Sequence, residues 1–226
     1  MLVGMTVISG IPATTRTPRH AAAPGWRAVL PLVRAGRTII GIDEVGRGAW
    51  AGPVVAAAVI LPPRLRLPGL GDSKALAAPA RRRLSRDIRR RALAVGIGWV
   101  AAAEVDAHGL SWAVRESGLR ALAGMSLEAA VIILDGRHNY LRGTHESQVF
   151  VKADATISPV AAASIIAKVA RDAYMQRLHR ADPRYGFDQH VGYGTALHAA
   201  GLAAHGPGPQ HRYSFRPIRE AARVIG

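Results

Sequence analysis

Apolar residues in this chain gather in a few dense runs, separated by stretches rich in arginine, glycine and proline. Thr38, Ile39, Ile40 and Ile42 are β-branched, the habit of a buried strand. A second, nearly all-apolar run over 54–61 stops at Pro62-Pro63, and the short glycine-rich link before it predicts an antiparallel pair. Residues 93–101 predict a third strand. Residues 131–134 predict a buried fourth, ending on Asp135-Gly136. The run 150–152 is too short to assign. Helices are expected over 79–91, 102–108, 110–125, 157–180 and 196–205. In the first of these Leu84 and Ile88 form one apolar stripe on an otherwise arginine-rich surface. Trp112, Leu119 and Leu122 are expected in the core. The long helix opens at Ser158-Pro159, with proline suited to a first turn. Ala163, Ile166, Ala170 and Ala173 form its close-packing stripe. Ser164, Lys168 and Arg171 form another, whose reading stays open between solvent and nucleic acid. In the loop-rich tail Tyr185 and Phe215 are expected in the core, and Tyr193, flanked by glycines, exposed.

Composition narrows the class. The chain has 226 residues, enough for one sizeable domain, and 49% hydrophobic content supports a real core. A formal net charge of +15 points to a polyanion, either nucleic acid or an anionic membrane surface. No apolar run reaches the ~18 residues of a spanning helix. Cysteine is absent, which excludes disulfides and thiolate zinc sites and fits a reducing compartment. Residues 1–37, rich in Ala, Pro, Thr and Arg near their start, read as a flexible leader that lacks the order of a secretory signal. The cytoplasm is the expected location.

Against so few acids, those at element ends stand out. Asp43 and Glu44 follow the first strand directly, and Gly46-Arg47-Gly48 follows them. Buried adjacent carboxylates call for a positive partner, and hard divalent ions prefer carboxylate oxygen. The glycine turn offers backbone N–H groups with no side chain in the way. Position 51 is alanine, so the dinucleotide fingerprint is incomplete. Asp135 stands at the carboxyl end of a buried strand, where open α/β sheets place ligands. Asp154 is a further acid at an element boundary. Ser73 and Lys74 can hold a phosphate, while Asp72 or Ser73 serves equally as a helix N-cap. His145-Glu146 has no second histidine four residues on, so the zincin motif is absent.

These blocks, in this order, resemble the ribonuclease HII family. Its opening signature resembles Asp43-Glu44-Val45-Gly46-Arg47-Gly48 with Ala51-Gly52-Pro53-Val54-Val55. Asp72-Ser73-Lys74, Leu134-Asp135-Gly136 and Lys152-Ala153-Asp154-Ala155-Thr156 are similar to later blocks. So are the helix 162–172, His190-Val191-Gly192-Tyr193-Gly194-Thr195, and 206–215. The likeness covers residues 38–217.

The resemblance implies an α/β, ribonuclease H-like fold: a five-stranded mixed sheet with three leading antiparallel strands, flanked by helices. It implies a catalytic domain over 38–181 and a small helical region, 182–226, packed on it to contact substrate. It further implies a monomeric endonuclease that cuts the RNA strand of RNA–DNA hybrids and nicks duplex DNA 5′ of embedded ribonucleotides. Products would carry 5′-phosphate and 3′-hydroxyl ends. Asp43, Glu44, Asp135 and Asp154 become the carboxylates for two Mg²⁺ or Mn²⁺ ions. Gly46, Arg47 and Gly48 become the sensor of the ribose 2′-hydroxyl, Ser73 and Lys74 substrate contacts, and Tyr193 the residue packed on the following sugar. The chain departs from the family's usual residues at Ala49-Trp50, Ala75, Val191 and Gly194, and the arginines of 81–91 are candidates to replace the lost lysines. A non-catalytic nucleic-acid binder of the same fold is the alternative.

Overall fold

In a computed structural model of the protein, which describes residues 23–71 and 76–225, the β-branched run forms β1 (Thr38–Val45) at the centre of a five-stranded sheet. β2 (Val54–Ile60) pairs antiparallel with β1, setting Asp43 opposite Ala57, and β3 (Ala94–Val100) pairs antiparallel with β2. On the other side β4 (Ala130–Asp135) runs parallel to β1, and β5 (Ser147–Phe150) parallel to β4. The order is β3-β2-β1-β4-β5, the mixed sheet that the resemblance implies. β5 is an edge strand of four residues, none of them fully buried, so its sequence carries no readable period.

The helices are α1 (Leu30–Arg34), α2 (Ala78–Arg91), α3 (Ala102–His108), α4 (Leu110–Leu122), α5 (Ala153–Thr156), α6 (Ser158–Ala181), α7 (Phe187–His190), α8 (Ala196–His205) and α9 (Arg216–Ile225). The twofold period of the strands sorts the core into two layers. Ile39, Ala57, Val59, Val131 and Ile133 pack against α6 and the Leu84–Ile88 stripe of α2. Ile40, Ile42, Ala56, Ala58, Ile132 and Leu134 pack against Ala121 and Leu122 of α4. Each buried Leu or Ile is worth about 1.5–3 kcal/mol, so Leu84 and Ile88 suffice to seat a helix whose remaining surface is charged. Trp112, expected in the core, is half-buried at its edge, its ring 4.3 Å from that of His108.

The expected leader boundary at residue 37 falls earlier. Arg27–Val29 form a 3₁₀ turn that leads into α1, and Trp26 and Val29 are buried in the α6 layer. Trp26 Nε1 donates to the Leu65 carbonyl at 3.1 Å. Apolar groups at 26, 29, 32 and 33 drive this packing, and the alanine- and proline-rich composition around them hides it. The rest of the expected leader, 1–22, lies outside the described residues, as do Ser73 and Lys74. At the other end, Tyr185, Phe187, Leu202 and Ile218 cluster with Met175 of α6 and Ala51. No helix among the described residues is long and apolar enough to cross a membrane.

Candidate active site

β1 carries its two acids just before its last residue, Val45, and a strand sends neighbouring side chains to opposite faces. Asp43 turns toward α6, where Ser164 hydrogen-bonds it. Glu44 turns the other way: Arg47 Nη1 donates to its Oε1 at 3.1 Å, and the Tyr140 hydroxyl reaches its Oε2 at 3.5 Å. Ile42 pairs in parallel with Leu134, so the next residues, Asp43 near the end of β1 and Asp135 at the end of β4, lie side by side on neighbouring strands. Asp135 Oδ1 accepts from the Ala153 amide at 2.7 Å, which ties α5 to the tip of β4. The adjoining Asp154 is 8% exposed and acts electrostatically on Asp43.

Burial raises the Asp43 carboxyl well above the usual carboxylate range, and the charges of Glu44, Asp135 and Asp154 push it further. Burial also raises Glu44, against the pull of Arg47. The Tyr140 phenol is raised well above its ordinary value by burial and then by Glu44 and Asp43, which keeps it a donor. An oxygen-only, mutually repelling donor set fits a hard divalent cation in chemistry and charge. Among the described residues no three acid or histidine side chains stand at metal-ligand spacing. Glu44 rests on Arg47 and Asp135 on the Ala153 amide, so each would exchange a protein hydrogen bond for an ion.

The loop after β1 is held from beneath. Gly46 has φ +91°, and a Cβ there would lie 2.3 Å from Arg171 Nε, so only glycine fits. Arg171 is fully buried; it donates to the carbonyls of Pro53 (2.9 Å), Ala51 (3.0 Å) and Val191 (2.8 Å). Arg212, also fully buried, donates twice to Gly52 O (3.0 and 2.8 Å) and once to Arg47 O (3.0 Å). Burial lowers both guanidinium groups, Arg212 to about 10, which leaves them charged at neutral pH. The stripe Ser164–Lys168–Arg171 therefore splits. Ser164 and Lys168 line the cleft, while Arg171 is an internal strut rather than a solvent or nucleic-acid contact.

A cleft of about 500 Å³ brings together Asp43, Glu44, Gly46, Arg47, Gly48, Asp135, Ser164, Lys168 and Tyr193. Asp154 is buried and not part of its wall. Tyr193 is half-buried, with Arg171 Cζ 5.5 Å from its ring centroid. A larger recess of about 730 Å³, bordered by Trp26, Arg27 and Leu67, has no acid or histidine in its wall and offers no comparable chemistry.

Sequence reasoning missed a buried histidine trio. His198 joins Tyr193 O (3.0 Å) through Nδ1 and His211 Nε2 (3.0 Å) through Nε2, and its ring stacks on His190 at 4.6 Å. Burial lowers His198 to about 4 and lowers His211 as well, so the pair is neutral and structural. Their spacing of 13 residues gave no local signal.

Residues 40–218 match the family described as Ribonuclease HII. Ribonuclease HII of Burkholderia pseudomallei is 42% identical over 213 residues, which is 94% of this chain and 99% of that protein. The crystal structure of the ribonuclease H2 from Pyrococcus horikoshii OT3 superposes with a TM-score of 0.73 at 25% identity, covering 83% of this chain and 98% of that one. RNase HII in the PCNA:RNase HII complex from Archaeoglobus fulgidus gives a TM-score of 0.67 at 25% identity, over 79% and 95%. The chain belongs to the ribonuclease HII family and is a metal-dependent ribonuclease.

Proposed function

We propose that the protein is an endonuclease that hydrolyses the RNA strand of RNA–DNA hybrids and nicks duplex DNA on the 5′ side of an embedded ribonucleotide. The products carry 5′-phosphate and 3′-hydroxyl ends. The observation that carries this reading is the shared cleft: three acids on neighbouring strand ends, with a fourth in electrostatic range, face a glycine turn and a tyrosine. Asp43, Glu44, Asp135 and Asp154 hold two divalent cations, Mg²⁺ or Mn²⁺. Such a pair would supply an activated water and a stabilised leaving oxygen.

The chain's own groups do the rest. Gly46, Arg47 and Gly48 bring backbone donors and acceptors to the ribose 2′-hydroxyl, a group that distinguishes RNA from DNA. Arg212, bonded to the Arg47 carbonyl, fixes the turn from inside. Tyr193 packs on the next sugar. Lys168, held by Asp172 at 2.8 Å, presents a cation to the phosphate backbone at the cleft wall. His198 and His211, buried and absent from the wall of the acid-lined cleft, take no part as bases. The acids, turn and tyrosine all come from one chain, which supports action as a monomer, and the cysteine-free composition supports the cytoplasm.

The test is a duplex with one ribonucleotide, incubated with Mg²⁺ or Mn²⁺ and mapped at the cut. A single nick 5′ of the ribonucleotide is expected. Binding without a nick indicates a non-catalytic binder of the same fold, and digestion from the ends an exonuclease; either overturns the reading.

On α2, Arg82, Arg83, Arg86, Arg89 and Arg90 span an arc of about 120°, all exposed, and of these five only Arg90 is paired with a carboxylate among the described residues. Arg81 turns inward to Asp172 (3.7 Å), whose other oxygen holds Lys168 beside the cleft. In this reading the exposed arc tracks the duplex backbone. Changing Arg82, Arg86 and Arg89 to Gln should reduce the slope of log K against log salt by about 2–3, at roughly 0.9 per phosphate contact. An unchanged slope in a salt titration would remove α2 from the interface.

A further inference from the structure

We propose that Trp50 is a positioning residue whose indole interlocks with the side-chain-free Gly194 and so sets Tyr193 over the cleft. The inference rests on the reading of Tyr193 as the residue that packs on substrate sugar.

Trp50 lies two residues past the glycine turn and is half-buried. Its amide donates to Gly192 O at 2.8 Å, and its carbonyl accepts from the Arg212 amide at 2.8 Å. Its ring tilts against His198 at 5.3 Å, and His198 in turn pairs with Tyr193 O. A Cβ built on Gly194 would fall 2.2 Å from Cε2 and Cζ2 of the indole. The ring thus fills the volume that any side chain at 194 would need. Gly194 is not among the positive-φ positions, so alanine there meets no left-handed backbone penalty, and the three atoms nearest its Cβ all belong to the indole.

Three consecutive carbonyls of the tyrosine loop are held by three separate elements. Val191 O is held by Arg171 of α6, Gly192 O by the Trp50 amide, and Tyr193 O by His198 of α8. Trp50 contributes directly to the second anchor, packs on the third, and closes the space beyond Tyr193. It is absent from the wall of the acid-lined cleft. A smaller residue at 50 therefore frees the tyrosine without altering the ligands, and a larger one at 194 pushes the tyrosine loop and Trp50 apart.

The test uses W50L, G194A, Y193A and their pairs in the full chain. In thermal unfolding G194A should lower Tm by about 3–8 °C in the otherwise unaltered protein, the scale of an overpacked site. In the W50L background, where the indole is gone, the same change should lower Tm by less than about 2 °C. On the one-ribonucleotide duplex W50L should lose about tenfold in kcat/KM, mostly in kcat. It should lose almost nothing further in a Y193A background, because it acts through that ring. An equal Tm loss for G194A in both backgrounds would overturn the interlock. An equal activity loss for W50L with and without the Tyr193 ring would make Trp50 a packing residue only. If the unaltered protein leaves the duplex intact, the substrate reading fails and the positioning role with it. The thermal cycle between 50 and 194 decides the interlock even then.

Discussion

Asp43→Asn is expected to abolish cleavage, by at least about 10³-fold or ~4 kcal/mol of transition-state stabilisation, while hybrid binding stays within a few-fold. Binding to the duplex is carried by arginines and lysines spread over the surface, and one carboxylate contributes nothing to that attraction. In the proposed mechanism, chemistry depends on a cation that needs the charge of Asp43 and not its shape. The same substitution has a second signature that does not involve turnover. Burial, then Glu44, raises the Asp43 carboxyl in the folded state. The fold therefore holds this proton more tightly than the unfolded chain does. Without metal, stability must fall as pH rises from the ordinary carboxylate range, near 3.9, up through the raised value. Asparagine carries no such proton, so the metal-free variant should show a flatter Tm–pH curve. With Mg²⁺ the wild-type Tm gain should grow with pH, because the ion takes the deprotonated form, and the variant should gain little at any pH. Retained turnover, or an Mg²⁺-induced Tm shift equal to that of the wild type, would take Asp43 out of the metal site.

The parts of this site that could be read from the chain are those that lie on regular elements. Asp43, Glu44 and Asp135 end apolar runs whose burial is dictated by hydrophobicity, so their place at the strand tips follows from the pattern itself. Asp154 could be picked out only as an acid at a boundary. What brings it in is the Ala153 amide bonded to Asp135, a contact across 18 residues that no local period announces. β5 is too short to show alternation, and α1 is hidden in biased composition. Arg171 shows the commonest failure of a face-by-face reading. At helical spacing it belongs with Ser164 and Lys168, yet its long stem carries the guanidinium under the loop after β1, where carbonyls rather than water solvate it. Arg212 sits in a loop-rich block with no period at all, and only the folded chain places it beside the Arg47 carbonyl. Buried cations matched by backbone dipoles leave no partner acid to find in the sequence.

Arg171→Ala should be the most destabilising single change in the loop framework. Three carbonyls, of Ala51, Pro53 and Val191, would lose their donor inside the protein, at about 1–3 kcal/mol each. Water entering the vacated space recovers part of this, and the relief of repulsion on Arg212, which Arg171 helps to depress, recovers a little more. A net cost of about 3–5 kcal/mol, or roughly 10 °C in Tm, is expected from urea and thermal unfolding. Arg171→Met separates the causes. Methionine keeps most of the stem's volume but donates nothing, so the gap between Met and Ala reports packing and the gap between Met and wild type reports the hydrogen bonds. The second gap should be the larger. Arg171→Lys should recover only part of it, since one ammonium cannot reproduce the planar fork that reaches three carbonyls. Cleavage should fall in Met and Lys alike at temperatures where both remain folded, because residues 51–53 and Val191 share this anchor. A methionine variant within about 1 kcal/mol of wild type, less than the usual cost of even one orphaned carbonyl, would mean that backbone bonds, such as Trp50 N–H to Gly192 O, hold the two loops together unaided.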